Sequence, residues 1–151
     1  MKSLIEVTMD ALNGLADDVQ EWEEIEFMVD SGAGTTVISP DDAKAVKPSD
    51  PDPRRTYKLA DGSMIQDKGT KTFKAQTDDE QWRLINAQVT DVDQALLSVS
   101  QIVRTGATVV FSPEGSYIQS PTALPLELRN NVYHLKMWVP KEQGKPFRGR
   151  T

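Results

Sequence analysis

The stretch Phe27-Met28-Val29-Asp30-Ser31-Gly32-Ala33-Gly34-Thr35-Thr36-Val37-Ile38-Ser39 decides how the rest of the chain is read. Three apolar residues lead into an acid, small residues follow it, and a second apolar pair, Val37-Ile38, closes the segment. The pattern predicts a buried strand ending at Asp30, a sharp turn from Asp30 to Gly34, and a return to the core. Glycine permits close backbone approaches that a side chain would block. Two other readings compete. Gly32-Ala33-Gly34-Thr35-Thr36 after a strand could open a phosphate loop, but the lysine of a Walker loop and the third glycine of a dinucleotide fingerprint are missing. An Asp-Ser-Gly tripeptide displayed on a tail is disfavoured by its apolar flanks. A turn-capping acid remains open on this motif alone.

Outward from that stretch, alternation dominates. Ile5, Val7 and Met9 alternate with polar residues and predict a strand. Ile25, Phe27 and Val29 share one face of the strand that delivers Asp30. Ser39-Pro40-Asp41-Asp42 carries the signals of a short helix start, with a serine cap, a first-turn proline and acids, before Pro48, Pro51 and Pro53 end it. Thr56 to Thr72 reads as a hairpin, turning at Ala60-Asp61-Gly62-Ser63. Lys71 to Gln76 and Trp82 to Val89 form a strand pair, with Ile85, Ala87 and Val89 on one face.

In Ala95 to Phe111 the period changes twice. Leu96 and Leu97 end a strand, Ser98 and Gln101 have capping-box spacing, Ile102 and Val103 are expected toward the core, and Gly106 suits a helix C-terminus. Thr108 to Phe111 resumes as a strand. The remaining strands, SYIQ, LPLELR and VYHLKMWV, are separated by turns that include Asn130-Asn131. Tyr133, Leu135, Met137 and Val139 share a face, which leaves the lone His134 pointing the other way as an ordinary surface residue.

Composition narrows the function classes. A chain of 151 residues with 38% hydrophobic content suits one domain with a real core. We read residues 1–140 as that domain and 141–151 as a basic, flexible tail. No cysteine is present, which excludes disulfides, thiol catalysis and cysteine-ligated zinc, and the lone histidine is read as removing any Ser-His or multi-histidine metal site. No cofactor and no metal are expected. A net charge of −6 and a pI near 4.8 argue against a nucleic-acid partner. No run is long and apolar enough for a membrane span and the first residues lack a signal-peptide plan, so the expectation is a soluble, intracellular protein.

An apolar strand ending in Asp30-Ser31-Gly32-Ala33, a hairpin with Ala60-Asp61-Gly62-Ser63 at its turn, and a Leu96-Leu97-Ser98, helix, Gly106, strand unit occur in the order that resembles retropepsin-like aspartic proteases, best the copia-type retrotransposon branch. The resemblance covers about Ile25 to Val139. It implies an all-β, mostly antiparallel acid-protease barrel with one or two short helices. It implies Asp30 as the catalytic aspartate, with Ser31, Gly32 and Ala33 supporting the active-site loop. Leu59, Ala60, Asp61, Gly62, Ser63, Met64 and Ile65 match the flap over a bound peptide, and Leu96, Leu97 and Ser98 the apolar pair and helix turn beside the site. Ser98 stands where viral relatives carry glycine.

One Asp-Ser-Gly triplet in a chain this short implies that the partner is a second copy of itself. The substrate implied is an extended peptide or polyprotein, in the cytoplasm or within a retrotransposon particle. A chain that retains the fold as an inactive dimerisation or peptide-binding module is the alternative, and a plain β-rich interaction domain a third reading.

Overall fold

The computed structural model describes residues 21–58 and 61–143. The expected strand at Leu4 to Met9, flap residues Leu59 and Ala60, and residues 144–151 lie outside them. Twelve strands and one helix follow one another: β1 (Trp22–Asp30), β2 (Val37–Ile38), β3 (Thr56–Lys58), β4 (Met64–Gln66), β5 (Thr70–Gln76), β6 (Trp82–Val89), β7 (Ala95–Ser98), α1 (Val99–Arg104), β8 (Thr108–Val110), β9 (Tyr117–Gln119), β10 (Ala123–Pro125), β11 (Glu127–Arg129) and β12 (Val132–Pro140). The described chain is therefore all-β with one short helix.

The largest sheet runs β1-β7-β2-β6-β5-β12, and β12 pairs again with β1, so six strands close on themselves while β11 overhangs β12. Closure removes the unpaired edges that an open sheet would expose. Only β1–β7 and β2–β6 are parallel. The long seam between β1 and β12 runs from Trp22 opposite Pro140 to Met28 opposite His134. Alternation explains the faces. Ile25, Phe27 and Val29 of β1, Ile85, Ala87 and Val89 of β6, and Leu135, Met137 and Val139 of β12 are buried together with Phe73 of β5. Full burial of a side chain such as Phe27 or Phe73 stabilises the fold by roughly 2–3 kcal/mol each. The turn at Asn130-Asn131 has φ of 51° and 64°, the paired left-handed backbone of a tight hairpin, which joins β11 to β12.

The short helix expected from Ser39-Pro40-Asp41-Asp42 does not form. Ser39 to Val46 is a string of turns rather than a helix, and Ala43 has a φ of 55°. The backbone groups that a helix would use are taken by distant side chains. The amides of Ala43 and Lys44 donate to the Glu23 carboxylate at 2.8 and 2.9 Å. The Lys71 ammonium, only 3% exposed, donates to the carbonyls of Pro40, Asp42 and Ala43 at 3.3, 2.8 and 3.1 Å. An ammonium has three donors and no acceptor, so this arrangement uses all of them. Tertiary capture outweighs the local cap signal. Val103, expected toward the core, is 50% exposed, while Ile102 packs against it.

A second sheet, β10-β9-β8, lies beyond α1. It is fastened to the barrel by the turn between β5 and β6. Asp79 accepts hydrogen bonds from Thr77 Oγ1 (2.5 Å), Thr122 Oγ1 (2.7 Å) and the Gln81 amide (3.2 Å), and pairs with Arg83 at 2.7 Å. Arg83 also donates to the Ser120 carbonyl. Further on, Gln143 bonds the backbone of Lys74 through both its oxygen and its nitrogen.

Candidate active site

β1 and β2, which flank the loop 31–36, are not neighbours: β7 lies between them, parallel to β1 with Ser98 level with Asp30. The loop must therefore arch over the end of β7. Asp30, the last residue of β1, is half-buried, and its Oδ1 accepts the Gly32 amide at 2.7 Å. A Cβ on Gly32 would lie 3.3 Å from that same oxygen, a tight contact that favours glycine here. Ser31 and Gly32 are exposed and Ala33 half-buried.

Four residues hold the arch in place. Ser98 is fully buried, and its hydroxyl donates to the Ala33 carbonyl at 2.7 Å. The same oxygen accepts the Gln101 amide at 3.2 Å and lies 3.0 Å from Ser100 Oγ. A hydroxyl has one proton and two lone pairs, so Ser100 must be the donor to Ser98, which is then saturated. The Ser98 amide donates to Thr36 Oγ1 at 3.1 Å, and the Thr36 amide to Gln101 Oε1 at 2.6 Å. Only half of the capping box expected at Ser98 and Gln101 forms. The serine caps the helix, while the Gln101 side chain turns to the loop residue Thr36 instead. Ser98 thus carries a defined load: it links the helix start to the loop that bears Asp30.

Thr36, 3% exposed, was not singled out from sequence. Its signal was only a second threonine before the apolar pair, since Ser98 and Gln101 lie more than sixty residues away. Leu96 and Leu97 sit on β7, with Leu97 buried and Leu96 opposite Val37 of β2.

The hairpin forms as expected. Thr56, Tyr57 and Lys58 pair with Gln66, Ile65 and Met64. At its tip Asp61 Oδ1 accepts both the amide and the hydroxyl of Ser63, at 2.9 and 2.6 Å, and Gly62 has a φ of +90°. Those two bonds, the hydroxyl first, hold the Asp61 carboxyl below its ordinary range. Met64 is 57% exposed. The base is rigid: a Cβ on Gly69 would lie 2.1 Å from the Ser49 carbonyl oxygen, and Asp67 accepts the amides of Asp52 and Gly69. Among the described residues no hydrogen bond joins this hairpin to the Asp30 loop.

The loop and β7 are thus brought together by hydrogen bonds. A cavity of about 510 Å³, with Leu84, Ile102, Leu124 and Met137 in its wall, does not include Asp30. His134 lies on the outer face, level with Met28, but it is not the ordinary surface residue expected: its side chain is only 16% exposed, because β12 runs between β1 and β11. Burial and the neighbouring Arg129 hold its imidazole below the ordinary range. Among the described residues no group of three or more His, Cys, Asp or Glu could hold a metal ion, and no helix is long and apolar enough to cross a membrane.

A family model described as aspartyl protease matches residues 11–120, which include Asp30, the hairpin and the Ser98 helix. No curated protein matches the chain, and no solved structure does. On a match that spans most of its length, the chain belongs to the aspartyl protease family.

Proposed function

We propose that the protein is a homodimeric aspartic endopeptidase in which each chain contributes one Asp30 carboxylate to a shared site. The observation that carries this reading is the placement of Asp30. It ends a buried strand, it is oriented by the Gly32 amide, and its loop is braced through Ser98 and Thr36. Such bracing holds a reacting group in position before substrate arrives, which is what rate acceleration by orientation requires.

A single carboxylate does not perform this chemistry. Two carboxylates about 3 Å apart cannot both ionise easily, so the pair shares one proton, a known property of aspartic-protease dyads. The ionised Asp30 takes a proton from a bound water as the water oxygen attacks the carbonyl carbon of the scissile peptide. The protonated Asp30 of the second chain gives its proton to the carbonyl oxygen, forming a tetrahedral diol. Proton transfer to the amide nitrogen then accompanies C–N cleavage and releases an amine and an acid. The hairpin with Asp61 and Gly62 at its tip would close over an extended substrate and limit water, and main-chain pairing would supply much of the binding.

The likeness to the copia-type branch makes the substrate a retrotransposon polyprotein of Gag-Pol type, including the segments that flank this chain. The test is to incubate the purified protein and its Asp30→Asn variant with an unstructured polypeptide from mildly acid to neutral pH. Cleavage by the first and none by the second is expected. Equal cleavage, or none from a folded dimer, contradicts the reading, and the latter outcome favours a binding module.

A further inference from the structure

The chain has a single histidine, and it sits inside a set of ion pairs. On β12, His134 lies between Met28 of β1 and Glu127 of β11, its cross-strand neighbours on the outer face of the barrel. Opposed side chains of this kind, and their diagonal neighbours, are within reach of one another. The imidazole Nδ1 is buried and has no hydrogen-bond partner among the described residues. A buried polar atom in that state is uncommon and calls for a reason. The Glu26 carboxylate, a diagonal neighbour, lies 3.9 Å from it, near enough to feel a charge and too far for a hydrogen bond.

The oxygen of Glu26 that faces Nδ1 already accepts Arg129, whose Nε reaches Glu127 at 3.2 Å. The guanidinium thus ties β11 to β1 across the strand that carries His134. Besides these groups, Lys136 of β12 pairs with Glu24 of β1 at 3.8 Å. The loop before β7 adds the neutral Gln94, which donates to the Glu26 carbonyl at 2.9 Å. Asp30, the next residue on that side of β1, turns its carboxylate to the Gly32 amide. Within the ion-paired set, three carboxylates stand against two cations, which leaves one negative charge for a proton on His134 to cancel. Burial and Arg129 oppose that proton, and Glu127 favours it. The set accordingly has two arrangements. Either the imidazole is neutral with Arg129 on Glu26, or it is charged and bonded to Glu26 while Arg129 keeps Glu127.

We propose that His134 is a proton-operated latch for β11: uncharged, it leaves Glu26 to Arg129, which fastens β11 to the barrel, and protonated, it takes Glu26 and releases Arg129 with the end of β11. Histidine suits the role because its ordinary titration falls between pH 5 and 8. A local change of charge then acts on an element with two positions, which is how such switches work. The latch is independent of peptide cleavage and stands or falls without an activity assay.

The lone histidine makes the test clean. Full-length protein carrying ¹³C in its histidine gives one imidazole signal, which NMR follows from pH 8 to pH 5 together with the amides of Glu127, Leu128 and Arg129. The midpoint is expected below the ordinary 6.5, and the β11 amides are expected to shift with that same midpoint. Arg129→Gln should raise the midpoint by removing the opposing cation, and Glu26→Gln should lower it by removing the acceptor. In His134→Gln the β11 amides should stay constant over this range. That variant should also keep stability that wild type loses as pH falls below 6.5, because the unfolded chain binds the proton more readily than the fold does. A wild-type midpoint at or above 6.5, β11 amides that ignore the titration, or β11 amides that titrate unchanged in His134→Gln overturns the inference. The first two are read on wild type alone, so a variant that fails to fold does not shield the claim.

Discussion

Removing the Asp79 carboxylate by Asp79→Ala is the perturbation whose cost the structure specifies most fully. Asp79 and Arg83 have side-chain exposures of 14% and 18%, and their pair is 2.7 Å long. Burial alone would raise the Asp79 pKa. The hydroxyls of Thr77 and Thr122, the Gln81 amide and the Arg83 charge outweigh it and hold the carboxyl below its ordinary value. Truncation removes the counter-charge of the Arg83 guanidinium, which keeps the Ser120 carbonyl and the Thr77 hydroxyl as acceptors, and takes their shortest acceptor from the Thr77 and Thr122 hydroxyls. Charge-assisted bonds contribute about 1.5–3 kcal/mol and a fully buried broken pair about 3–5 kcal/mol, so partial solvent access sets the expectation near 3 kcal/mol. For a chain of this size that is a fall in melting temperature of roughly 6–12 °C, read at fixed protein concentration because association would shift it.

The sign of the pH dependence follows from the depressed pKa. The stabilisation is complete above the unfolded value near 3.8 and is lost as pH falls through the lower folded value, so wild type and variant converge in strong acid. Urea titrations from pH 7 to pH 3 would show this. A loss under about 0.5 kcal/mol at pH 7, the size of an ordinary surface substitution, would refute the view that this cluster fastens the β8–β9–β10 sheet to the barrel.

Lys71→Met is expected to cost about 3 kcal/mol in chemical denaturation, because three carbonyls lose their donor; a change under about 1 kcal/mol would mean that water replaces the ammonium readily. Ser98→Ala removes the cap of α1 and the tie to Ala33, and should cost about 1–2 kcal/mol of stability while lowering kcat more than it raises KM. Unchanged kcat would detach Ser98 from positioning the Asp30 loop.

Where neighbours along the chain decide the structure, the sequence was legible. Strict alternation in Ile25 to Val29 and in Tyr133 to Val139 gave the buried faces, Asn130-Asn131 gave a hairpin with left-handed backbone, and Ser98 to Gly106 gave a capped helix with its terminating glycine. What escaped depended on distant partners. The turns at Ser39 to Val46 carry every local mark of a helix start, yet Glu23 and Lys71 claim their amides and carbonyls. Gln101 left its local box for Thr36, a residue no spacing rule connects to it. The closure of the barrel by β12 on β1 likewise joins segments more than a hundred residues apart. For the site, the acid and its loop were readable as a motif, whereas the four-residue brace under it was visible only in three dimensions.

The account turns on whether one site is built from two Asp30 residues, and subunit mixing measures that directly. Wild type and Asp30→Asn chains are combined in varying ratio at constant total concentration, allowed to exchange, and assayed for peptide cleavage. If each dimer needs an intact Asp30 from both copies, activity follows the square of the wild-type fraction and falls to roughly one quarter in an equal mixture. Activity that falls only in proportion, to roughly one half, would mean that each chain acts with its own carboxylate, and would contradict the shared site.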